Sequence, residues 1–336
     1  MIYTRLLSAL VALSLPLVAG TPVRAKSLDS RAILDSIGFT KQEIADARAG
    51  KIIRRSLDAT NERELVAAMA FLVREAPDAL MARTKQGLLT EIDPNTLAWG
   101  TIEGKATEAS FSELSLRPDP EKRAKRYAEA EPGDDLNLSR EEIAAFAKLG
   151  ADAAPADIEA AVRRALAARV EAYRASGLAG IAPYARSKRE ERSVAAELRS
   201  ATQALDRLEQ RIPSVAKFFL EYPQGRPEGT EELYLWSQIE AHGVPTILLT
   251  HSVAVPEGDA WVAMQRQYYV SEGYNCEEAV AVFLPVENGT AVVYVNRTST
   301  DQVAGFGGGA KRSIGSRMLA SQLEGLFHSV QAGATD

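Results

Sequence analysis

The last third of the chain restricts its fold more than any other part. Five segments, Glu232 to Ile239, Thr246 to Val255, Trp261 to Tyr269, Ala279 to Val286 and Ala291 to Thr298, alternate in polarity or are dense in β-branched and aromatic residues. Gly, Pro, Asn and Asp punctuate the gaps, which is the pattern of successive antiparallel strands. A helical pattern then runs from about Ala310 to Val330. It directs Ile314, Met318, Leu319, Leu323, Leu326, Phe327 and Val330 toward the sheet, with Arg312 and Gln322 outward. A curved antiparallel sheet around one long C-terminal helix encloses space. The expectation is an α+β fold with an interior able to hold a ligand.

Upstream, residues 26–50 read as a short helical lead-in built on Ile33, Ile37 and Ile44. Lys51 to Leu57 and Arg63 to Val73 read as strands, although the Ala-rich second one also suits a helix. Ala76 to Gln86 reads as a helix with Pro77 and Asp78 in its first turn, where a missing N–H and a negative charge are favourable. Thr96 to Lys105 and Thr107 to Leu116 read as further strands. Arg117-Pro118-Asp119-Pro120 ends that pattern, and Glu121 to about Lys217 has the Ala, Glu and Arg content of helices. Ser139 and Glu142 form a capping box. Ala154-Pro155-Ala156-Asp157 opens a helix that stops at Gly177, and Ser193 to Arg211 carries one apolar stripe. Too few strands precede this block to make a stable sheet alone. The expected organisation is one sheet-and-helix domain, 51–118 plus 227–332, with a helical subdomain inserted at 119–226; two sequential domains is the alternative.

The order strand, helix, strands and closing helix resembles the START-like, or helix-grip, superfamily. Tyr234-Leu235-Trp236-Ser237, Thr250-His251 and Val295-Asn296-Arg297-Thr298 point within it to exported bacterial members. The resemblance covers roughly residues 50–118 and 230–332 and is one of element order. It implies a hydrophobic or amphipathic, lipid-like ligand held between sheet and helix. The inserted block departs from the minimal pattern.

Met1 to Ala25 reads as a secretory signal peptide. Arg5 supplies the positive end, Leu6 to Ala19 the apolar run, and Val23-Arg24-Ala25 the cleavage site before Lys26. Pro16 and Gly20 interrupt the run, against a membrane anchor. The expected protein is exported, periplasmic or secreted, and makes no stable membrane insertion. Removal of the segment deletes Arg5 and Arg24 and no acid, taking the net charge from −6 to −8. That balance argues against nucleic acid or an anionic membrane as partner. Cys276 is the only cysteine, so the fold rests on its core rather than on a disulfide.

Three strands each carry a polar residue on an otherwise apolar face. Ile247, Leu249, His251 and Val253 alternate onto one side; Val262, Met264, Arg266, Tyr268 and Val270 share another; Ala291, Val293, Val295 and Arg297 share a third. If these faces line one cavity, His251, Arg266 and Arg297 are head-group ligands in an apolar wall. A guanidinium fork suits carboxylate or phosphate, so an amphipathic anion is its natural guest. Trp236, Tyr268 and Tyr294 are the aromatic wall candidates. Structural roles compete with each assignment: Arg297 in water at a strand end, His251 hydrogen-bonded in the core, and Arg266 paired with Glu278. Gly305-Phe306-Gly307-Gly308-Gly309-Ala310-Lys311-Arg312 reads as a hinge for the last helix, with phosphate binding as the alternative. There is no Gly-x-Ser-x-Gly elbow, no His-Glu-x-x-His and no Cys/His cluster, so no catalytic residue, metal site or cofactor is assigned. The expected function is non-covalent binding or transport. The alternatives are an enzyme using His251 or a carboxylate such as Glu103, and an interaction scaffold docking through the helical block.

Overall fold

The alternating segments pair into one antiparallel sheet. The computed structural model describes residues 40–333 other than 86–91, 134, 206–212 and 242. In chain order the elements are α1 (Lys41–Arg48), β1 (Ile53–Arg55), β2 (Glu64–Val73), α2 (Pro77–Lys85) and β3 (Thr96–Thr101). A helical block follows, with α3 (Pro120–Ala128), α4 (Arg140–Ala147), α5 (Pro155–Ser176), the short hairpin β4 (Tyr184–Ala185) and β5 (Glu191–Arg192), α6 (Val194–Gln203) and α7 (Pro213–Glu221). The chain closes with β6 (Glu231–Ala241), β7 (Val244–Glu257), β8 (Ala260–Val270), β9 (Cys276–Val286), β10 (Gly289–Ser299) and α8 (Gly308–Ala332). The eight-stranded sheet has the order β1-β2-β10-β9-β8-β7-β6-β3. Strands β6 to β10 form a meander, β2 pairs with its last strand and β3 with its first. The chain is therefore α+β, with a large antiparallel sheet and a C-terminal helix.

Strand alternation gives the sheet two differently covered faces. On one, Ile247, Leu249, Val253, Val262, Met264, Val280, Val282, Val293 and Val295 join a core completed by Phe111 and by the helical block, including Tyr127, Ile158, Leu166, Tyr173, Leu198, Phe218 and Phe219. On the other, Met69, Phe71, Phe283, Val292 and Tyr294 pack with Leu80 and Met81 of α2 and Phe327 and Val330 of α8. A bulge in β8 shifts the register between Leu249↔Tyr269 and Thr250↔Gln267. Tyr268 is the extra residue, so Tyr268 and Tyr269 both reach the helical block, stacking on Tyr173 and meeting Tyr184 respectively. At the end of α5, Gly177 has φ +56°, and a Cβ there would collide with the Tyr222 carbonyl. That close approach sets α7 beside α5.

Several sequence expectations need correction. Thr107 to Leu116 is not a strand; it contains a single 3-10 turn, Glu108–Phe111. Its buried residues Phe111, Leu114 and Leu116 do not keep period two, and the Leu116 N–H donates to Glu159 Oε2 of α5 at 3.1 Å rather than to a strand. The strand from Thr96 ends at Thr101 rather than Lys105. Ile314 and Met318, expected to face the sheet, are 56% and 53% exposed. The first half of α8 lies along the β2 edge instead, where Ser316 Oγ accepts from the Val66 N–H at 3.2 Å and no room remains for a Cβ at Gly315 against Leu65. Only Phe327 and Val330 of the expected stripe are fully buried. The capping box at Ser139 and Glu142 forms as read. Of the lead-in, α1 is seen, capped by Thr40 and Glu43. Residues 1–39, with the Met1–Ala25 segment, lie outside the described residues, as do Gln86 and Arg211 at the expected helix ends.

Candidate functional site

A hollow lies between the sheet and the pair α2 and α8, with a volume of about 60 Å³. Its origin is local. One row across the sheet reads Ala254–Ala263–Ala281–Tyr294, and the next Ser252–Gln265–Ala279–Asn296. Alanine stops at Cβ, so the centre of the sheet stands low while the roof rests on taller residues at the rim. Phe327 of α8 stacks on Phe71 with ring centres 4.6 Å apart and meets Tyr294 edge-on at 4.8 Å. On the α2 side, Trp261 Nε1 donates to Asp78 Oδ1 at 2.7 Å and Lys85 Nζ lies 5.2 Å from the Trp261 ring centre. Leu80, Phe283, Val292 and Val330 complete an apolar lining, with Gln265, Ser252 and Thr84 as its polar members.

One row farther along the same face the floor becomes polar, reading Thr250–Gln267–Glu277–Thr298. Glu277 accepts from Gln267 Nε2 and Thr298 Oγ1, both at 3.2 Å, and Tyr274 donates to Gln267 Oε1 at 2.5 Å. Burial raises the Glu277 carboxyl above its ordinary range, and hydrogen bonds from Asn296 and Thr298 only partly oppose it. Among the described residues no ion pair engages Glu277.

The sequence-derived site residues divide between the two faces. Tyr234, His251, Arg266, Glu278 and Arg297 are direct partners in a single row, on the face under the helical block. Trp236 and Tyr268 lie on that face too, and Tyr294 on the opposite one, where it lines the hollow. His251 is 0% exposed. Its Nδ1 is 2.9 Å from Tyr173 Oη, and its Nε2 is 2.8 Å from Glu232 Oε1 but off the line of a good hydrogen bond. Burial lowers the imidazole to about 4 despite the Glu232 charge, so the ring is neutral at neutral pH. Burial works to raise Glu232, but the His251 ring and the Tyr234 hydroxyl beside it, with the charge of Arg226, hold it at about 2.

Arg266 is fully occupied. It donates to Glu278 Oε2 through Nε at 2.8 Å, with Nη2 2.7 Å from the same oxygen, to the Phe219 carbonyl at 2.9 Å and to Thr202 Oγ1 at 3.0 Å. Tyr173 Oη lies 3.4 Å from its Nη1. Arg297 is not in water but buried, 2.8 Å from Glu64 Oε2. The Trp236 indole covers Gly100 and packs on Phe111. This row therefore ties sheet to helices: the Arg266 fork is spent on protein partners, while His251 Nε2 and Arg297 Nε are buried without a hydrogen bond among the described residues. Residues that sequence reading missed are its helical partners Tyr173, Thr202 and Phe219, together with Glu232, the floor of the hollow at Ala263, Gln265, Ala279 and Ala281, and Glu277 one row beyond it. Only the floor carried a signal, the Ala-x-Ala steps opposite an apolar face.

No group of three or more metal-ligating side chains occurs among the described residues, and no helix there is long and apolar enough to cross a membrane. Compared with known proteins, the chain matches no family model, no curated protein and no solved structure.

Proposed function

We propose that this protein is an exported carrier that binds a hydrophobic or amphipathic molecule between its sheet and α8. The frame is a START-like, helix-grip domain formed by residues 51–118 and 227–332, with the helical segment 119–226 inserted between β3 and β6. One observation carries the reading: two alanine-bearing rows of an otherwise bulky sheet lie under two helices and leave an apolar hollow. Close packing fills most interiors, so space kept by small side chains under a roof favours a guest. The opposite face supports this by contrast, since Arg266 is spent on Glu278 and His251 Nδ1 on Tyr173.

The test is mass spectrometry of protein purified gently from the envelope of its host. A stoichiometric apolar or amphipathic molecule, absent from an Ala279→Leu, Ala281→Leu variant, is expected. A protein that carries nothing and binds no alkyl compound would overturn the reading. The same spectra check export, which requires a chain starting at Lys26.

A further inference from the structure

The polarity of the floor narrows the guest, on the assumption that the hollow is a ligand site. The apolar part is bounded by Ala263, Ala279, Ala281 and Phe327. One strand-pair row beyond Gln265, next to the hollow's lining, stands Glu277, a carboxylate on the same face whose oxygens meet Gln267, Thr298 and Asn296 among the described residues. Three cations around this hollow are paired elsewhere: Lys85 with Glu231, Arg83 with Glu75, and Arg54 with Glu324. The Gln265 side chain makes no hydrogen bond of its own within the described residues and lines the hollow. A partly buried carboxylate with neutral donors and no counter-charge is stabilised by whatever brings a positive head beside it.

We infer that the ligand is an amphipathic amine, its apolar body over the alanine floor and its ammonium against Glu277, with Gln265 as a second contact. An anionic head, which the guanidinium groups of the strands suggest from sequence, meets the wrong charge here. Arg266 and Arg297 lie on the other face and are already paired.

The experiment compares octylamine, octanoate and octanol by calorimetry on the purified protein, on Glu277→Gln and on Ala281→Leu. Octylamine should bind about tenfold tighter than octanoate, the scale of one charge-assisted contact. Glu277→Gln should erase that preference while octanol binds as before, which also shows that the variant is folded. Ala281→Leu should weaken all three. Equal or tighter binding of octanoate, or a preference that survives Glu277→Gln, would overturn the amine inference and leave the carrier reading standing. Failure of all three to bind the unaltered protein, or their indifference to Ala281→Leu, would overturn both.

Discussion

On β9, neighbouring residues look into opposite environments: Glu278, Val280 and Val282 face the helical layer, whereas Ala279 and Ala281 line the hollow and Glu277 stands one row beyond it on the same face. The two glutamates make the contrast chemical. Glu278 is met by the Arg266 guanidinium and by Thr202 Oγ1 at 2.5 Å. Glu277 has amide and hydroxyl neighbours and no ion pair among the described residues. A face that must be dry and permanent neutralises its charges internally; a face that keeps space leaves a charge for something else. The same strand, in one register, thus builds a structural interior and a candidate site back to back.

The contrast breaks first at Arg266. Arg266→Ala removes one partner from a pair sealed at 0% exposure, so unfolding free energy should fall by about 3–5 kcal/mol in urea titration. A loss below about 1 kcal/mol would mean that the helical face is not sealed. Next, α8 should prove energetically divided. Phe327→Ala, which unstacks Phe71 and opens the roof, should cost about 3–5 kcal/mol. Ile314→Ser and Met318→Ser, at exposed positions, should each stay within about 0.5 kcal/mol. Equal costs would show that α8 covers the sheet along its whole length.

Acid should act on the sealed face through His251. Its folded pKa of about 4 lies below the ordinary 6.5, so the unfolded chain takes up a proton first as pH falls. Stability is then full above about pH 6.5 and declines toward pH 4, by on the order of 3 kcal/mol. Glu232, held at about 2, extends the decline below pH 4.5. The groups facing this imidazole are Glu232, Tyr173, Tyr222, Tyr234, Arg174 and Arg266. A His251→Gln variant lacks this titration, so most of its loss of stability between pH 6.5 and 4.5 should disappear. A decline unchanged by that substitution would place the acid sensitivity elsewhere.

Much of this architecture was legible in strand periodicity. Alternation fixed which residues share a face, and His251, Arg266 and Arg297 do share one. What periodicity omits is which layer covers that face. Both covers are amphipathic helices, and nothing local in α8 says that it lies over Phe71 and Tyr294 rather than over His251. The Arg266–Glu278 pair was readable as neighbouring strands in register, but Thr202 and Tyr173 come from helices 64 and 93 residues away in sequence. The hollow left only the Ala279-x-Ala281 step as a trace, and that is easily passed over because alanine in a strand reads as weak β-propensity rather than as space.

A pair of alanine substitutions tests that last point most directly. Ala68 of β2 is 1% exposed and belongs to the filled face. Ala68→Leu inserts three carbons where atoms already touch, and should cost about 1–3 kcal/mol through forced side-chain and backbone shifts. Ala281→Leu adds the same carbons to a floor below a hollow of about 60 Å³. The new side chain takes up the hollow among Phe327, Phe71 and Leu80, where burial gained offsets the small shifts it needs, so the change should be less than about 1 kcal/mol and of either sign. Denaturant midpoints of the two variants, measured side by side, decide between the faces. Equal penalties would mean that the alanine rows are as tightly packed as the helical side, and the contrast between the faces would fail.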